Sequence, residues 1–171
     1  MSHAEVMGTV SDRLIGGMMF HSDHADMMRL IGMDGLHRLH EDGFGDDSKS
    51  LRRVRVACVE HLCMLPPTAR QERTKTLEGM VGRDRSNIGQ SEVQRLVRTS
   101  MQAWVEWESG TVECLRDAAE KLIGCASLWN LVRKLQRDTE RELSKARDIA
   151  REMETCGYDM CHVLEMQDGL G

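Results

Sequence analysis

A chain of 171 residues, 40% hydrophobic and 30% charged, is long enough to bury one real core and too short for more than two small domains. Two prolines and 4% aromatic residues argue against a turn-rich sandwich or barrel. With a net charge of −5, no apolar run near the roughly 18 residues of a membrane span and no basic-then-apolar leader, the chain reads as cytoplasmic, with its six cysteines as thiols and no generic affinity for nucleic acid.

Apolar residues recur at helical spacing from Glu5 to about His40. Gly16-Gly17 weakens that run, which predicts either a kink there or a second helix starting near Ser22. Glu41 to Asp47, with Gly43 and Gly45, reads as a loop. Ser50 is the expected N-cap of a helix carrying Leu51, Val54, Cys58, Leu62 and Leu65, which Pro66-Pro67 ends. A short helix from Thr68 to about Val81 precedes a loop. Ser91-x-x-Gln94 reads as a capping box opening a long helix to about Ile123, with Trp104, Leu115 and Leu122 buried and this helix central to the fold. Gly124 ends it. A second long helix with Leu128, Val132, Leu135, Leu143, Ile149 and Met153 on its stripe runs to Gly157, a C′ residue, and a short helix from Tyr158 to about Gln167 closes the chain. The expectation is one all-α domain over 1–171, a bundle of about four main helices with short extra ones. Its parts are an acidic helical segment over 1–48, a basic helix and loop over 49–90, and a long helical hairpin with a short last helix over 91–171.

Charge is segregated along the chain. Residues 1–48 carry nine Asp and Glu against three Lys and Arg, residues 49–98 carry eleven Lys and Arg against five Asp and Glu, and the remainder is acidic again. Solvated helix faces are one complete explanation of this. The functional alternative is a pair of docking faces, one around Asp42, Asp46 and Asp47 and one around Arg52, Arg53 and Arg55, with direct nucleic-acid contact open to the basic segment 49–98.

His21 and His24, like His37 and His40, stand three apart, and Glu41 follows His40; with Glu106 these six are the candidate metal ligands. A di-metal bundle site ordinarily repeats Glu-x-x-His on two helices, and that spacing is absent, so surface histidines near a helix end are the favoured reading. No Cys-x-x-Cys, phosphate loop or local nucleophile signature is present, so no catalytic residue and no cofactor are expected. Trp104 and Trp107 share a helix face; both fit a core, and Trp107, if exposed, fits a partner interface.

Phe20-His21-x-Asp23, the stretch from Leu30 to Glu41, Trp104-Val105-Glu106-Trp107-Glu108-x-x-Thr111, Tyr158-Asp159-Met160 and Glu165-x-Gln167-Asp168 together resemble a group of small helical proteins carried by phages and prophages of gut bacteria. Some phage proteins of this size and helical type are anti-CRISPR inhibitors of type II effector nucleases, and others are ferritin-like in outline. The resemblance implies a non-enzymatic inhibitor in the host bacterial cytoplasm, with a CRISPR effector nuclease or its guide-RNA complex as partner and a homodimer also open. The alternatives are a ferritin-like metal-binding bundle with ferroxidase-like activity and a nucleic-acid-binding accessory protein.

Overall fold

A computed structural model describes residues 1–64 and 89–170. Among them are five helices and no strand: α1 (His3–Leu30), α2 (Asp34–Leu62), α3 (Gln90–Lys121), α4 (Ala126–Thr155) and α5 (Met160–Gly169). The expected all-α bundle is therefore the fold. α1 packs along α2 and α3 along α4; α1 also meets α3, and α2 meets both α4 and α5.

The chain begins α1 with a capping box. Ser2 Oγ accepts the Glu5 N–H at 3.2 Å, and the Glu5 carboxylate accepts the Ser2 N–H at 2.7 Å. The helix then runs without a break through Gly16-Gly17 and Ser22, against both the expected kink and the expected second helix start. It ends instead at Gly32, whose φ of +80° closes a Schellman turn: Gly32 N–H donates to Arg29 O at 3.2 Å, and Met33 N–H donates to Met28 O at 2.8 Å. The same turn closes α4 at Gly157, φ +61°, as its expected place at C′ requires.

Two further expectations are corrected. Glu41–Asp47 is not a loop but the third and fourth turns of α2, and Ser50 lies inside that helix rather than capping it. The boundary between acidic and basic composition at residue 48 thus falls within one helix. α3 is capped two residues earlier than expected, with Gly89 as N-cap and no side-chain cap, so the Ser91 capping box does not form. Thr68–Val81, Leu65 and Pro66-Pro67 lie outside the described residues.

Trp104, Leu115 and Leu122 are buried, as expected. The helix burying most is nevertheless α1, with fourteen buried residues to eleven in α3. Its apolar side chains feed two clusters. One lies around Phe20, Met27, Met28, Leu36, Trp104 and Met153, the other around Val6, Val10, Leu14, Leu51, Leu115 and Val132. α5 closes the first cluster with Val163, and Gln167 Oε1 accepts the Leu36 N–H at 2.9 Å. Met33 offers no side-chain cap to α2, so Gln167, 131 positions from Leu36, does that work.

Candidate functional site: a histidine-carboxylate layer across the bundle

Polar side chains gather between the two apolar clusters. His21 on α1, His40 and Asp47 on α2, and Glu108 on α3 meet there, flanked by His24 and Ser100. Three helix glycines make the approach close enough. A Cβ on Gly43 would stand 2.7 Å from the His21 ring, one on Gly17 would strike the Asp47 carboxylate, and one on Gly16 would stand 2.8 Å from the Trp107 ring. These glycines, read in sequence as kink and loop, are the positions where helix backbones leave room for site side chains.

His21 and His40 face each other Nδ1 to Nδ1 at 3.0 Å, so one donates and the other accepts. His40 is wholly buried, and burial, then His21, His24 and His37, hold its pKa well below the ordinary imidazole value; it is neutral. The other edge of His21 turns to the carboxylates, with Nε2 3.4 Å from Glu108 Oε1 and 3.9 Å from Asp47 Oδ2. Asp47 is pushed up to about 7, chiefly by burial and further by Glu108, against the pull of His21. His24 falls to about 4, by burial and then by His21; its Nδ1 lies 2.6 Å from Ser100 Oγ, and its ring stacks on Phe20.

This layer floors a cleft of about 400 Å³ between the helices, walled by Leu14 and Leu135 and reached by Glu142 from α4. Burial pushes the Glu142 carboxyl above its usual range, with Lys145 opposing and Glu108 adding to the shift. Lys49, Arg53, Lys134 and Arg141 stand at the rim, where Lys134 and Arg141 share Asp138 as ion-pair partner.

The candidate metal ligands do not form one set. His21, His24 and His40 come together, but as buried core rings, which corrects their reading as surface histidines near a helix end. His37 stands apart, its Nδ1 2.7 Å from Ala25 O and its Nε2 3.0 Å from Glu41. Glu106 is exposed, while Glu108, two residues on, points inward. Among the described residues no group of three His, Cys, Asp or Glu side chains is placed to hold a metal ion.

The docking candidates divide as well. Asp42 and Asp46 are exposed on α2, whereas Asp47 turns into the cleft. Arg52 and Arg53 are exposed, and Arg55 is half-buried. Trp107 is half-buried and engaged: it stacks on Phe20 at 5.6 Å between centroids, and the Arg13 guanidinium lies 3.7 Å over its ring. Arg13 also donates to Trp107 O and Thr111 Oγ1, both at 2.8 Å, which fixes it across the α1–α3 contact. Segments far apart in sequence thus meet in space, through Phe20 with Trp107, His21 with His40 and Glu108, and Leu36 with Gln167.

Asp47 was expected on a docking face and Glu108 only within the Trp104–Thr111 motif, and Ser100 was not singled out at all. Glu108 carried a signal, since it lies four residues past Trp104 and one turn before Thr111 on the face α3 buries. No protein-family model matches the chain, and no curated protein matches it either. No helix among the described residues is long and apolar enough to cross a membrane.

Proposed function

We propose that the protein acts by binding, without chemistry of its own, and that its partner is a CRISPR effector nuclease or the guide-RNA complex of that nuclease in a bacterial cytoplasm. The supporting observation is the exposed face of α2. Glu41, Asp42 and Asp46 are exposed along its first half, and Lys49, Arg52 and Arg53 follow within the next two turns. An effector of this kind holds nucleic acid in a cationic channel, so Lys and Arg lie beside phosphate on one surface. A bipolar helix complements both, its acidic half set against the channel wall and its basic half against the phosphates. The resemblance to phage-carried inhibitors supplies the class of partner.

The test is cleavage of target DNA by several guide-loaded type II effectors with excess purified protein. Cleavage should fall, and recover as salt rises, because exposed charges are screened beyond about 8–10 Å near physiological ionic strength. Asp42→Lys with Asp46→Lys should release the effector if the acidic half docks, and Arg52→Glu with Arg53→Glu if the basic half does. Undiminished cleavage across the effectors overturns the proposal. Direct retention of guide RNA by the protein alone, lost with the two arginines, moves the reading to a nucleic-acid accessory role.

A further inference from the structure

The outer stripe of α2 repeats at the spacing of a helix-pairing seam. Arg38, Asp42, Gly45, Lys49, Arg52 and Val56 follow one another at alternating intervals of four and three residues, and all but Gly45 are exposed. Val56 is 55% exposed. The surface over Gly45 is open, since a Cβ there would meet nothing within 4 Å. The charges on and beside the stripe are uncommitted. Among the described residues, no hydrogen bond or ion pair within the chain engages Asp42, Asp46, Lys49, Arg52 or Arg53. Glu41, which holds His37 Nε2 at 3.0 Å, is the exception.

We propose that two copies of the chain pair through this stripe as an antiparallel dimer, its two-fold axis level with Asp47. A parallel pairing in register sets acid against acid and base against base. The antiparallel one puts Asp42 of each copy level with Arg52 of the other, and within about 1.5 Å along the axis of its Arg53. Asp46 comes as close in level to the second copy's Lys49. Gly45 is level with that same lysine, so the open space over the glycine takes the lysine stem. Val56 is level with Arg38 of the second copy, whose aliphatic stem covers it. One self-complementary patch serves both copies, which closes the assembly at two. Exposed ion pairs each contribute little, so the dimer is weak and salt-sensitive rather than permanent. The pairing uses the face on which effector binding rests. It adds that the free protein keeps this face covered, and that an effector must displace the second copy to reach it.

Sedimentation equilibrium on the whole protein, with no effector present, is the test. At about 0.1 M salt and high micromolar protein the chain should sediment as a dimer. At about 1 M salt it should be a monomer, since the screening length falls from about 10 Å to about 3 Å. Asp42→Lys with Asp46→Lys, and separately Arg52→Glu with Arg53→Glu, should each weaken self-association by at least about tenfold. An equimolar mixture of these two variants should form the dimer again, because each altered face then meets its complement. Val56→Arg should weaken the unaltered pairing by about tenfold, because it brings a second guanidinium against Arg38. If a double variant loses helical circular dichroism, Asp42→Lys and Arg52→Glu singly take the place of the two. A monomer at about 0.1 M salt, a dimer unmoved by salt, or a variant mixture that stays monomeric each overturns the proposal. The effector reading is decided apart from these outcomes, by the cleavage assay, and its failure leaves the dimer standing.

Discussion

Burial shifts three side chains of the layer, and the shifts act on stability in opposite directions. His24, lowered to about 4, and His40, lowered well below its ordinary value, are buried neutral. Their contribution is full above the unfolded histidine value near 6.5 and is lost as pH falls through the folded values, because only the unfolded chain takes the protons. Asp47, raised to about 7, does the reverse: its contribution is present below the unfolded carboxylate value and is lost as pH rises through the folded one. Between about pH 4 and 6, two protons favour the unfolded chain and one favours the folded, so these three groups make stability rise with pH at about 1 kcal/mol per pH unit. Asp47→Asn should roughly double that slope and stabilise the protein above neutral pH. Urea unfolding across that range measures it, and an unchanged slope would refute the assignment. The histidines were legible as a cluster, because their spacing puts them on one side of their helices. Their burial was not legible: a histidine on an apolar face and one on a solvated face look alike until a carboxylate from another helix, here Glu108, is known to face it.

The helices themselves were legible through most of α3 and α4, and misread at Gly16-Gly17 and at Gly43 and Gly45. Gly43 and Gly45 look equivalent in sequence, yet one serves the contact and the other does not. A methyl group on Gly45 meets nothing within 4 Å, and one on Gly43 meets the His21 ring at 2.7 Å. Gly45→Ala should therefore stabilise by up to about 1 kcal/mol, the helix-propensity difference. Gly43→Ala should destabilise by about 1–3 kcal/mol, as overpacking does, despite gaining the same propensity. Equal effects in thermal or urea melts would remove the close approach as the reason for the glycine. Gly32 was missed for the converse reason, since apolar spacing carries on from Ile31 through Leu36 and hides a left-handed turn. Gly157 was found because Tyr158 and Asp159 break the pattern after it.

Across the whole molecule, the order of the helices was legible, and the partner each apolar face finds was not. Periodicity marks the buried stripe of a helix but carries no address, so nothing in residues 1–48 announced that α1 would bury more than α3. The least local address is the one joining Gln167 to Leu36. Gln167→Ala should cost about 1–2 kcal/mol, the range of a lost helix cap, since it strips the partner from a buried N–H at the start of α2. A melt unchanged by the substitution would show that water replaces the side chain. The same bond bears on how the chain is made. Synthesis at about 5–20 residues per second delivers α2 several seconds before Gln167 exists. Through that interval the growing chain carries α2 with an open first turn and the first apolar cluster without Val163. The α1–α2 hairpin is thus made in an unfinished state, and the last helix, not the hairpin itself, completes the start of α2.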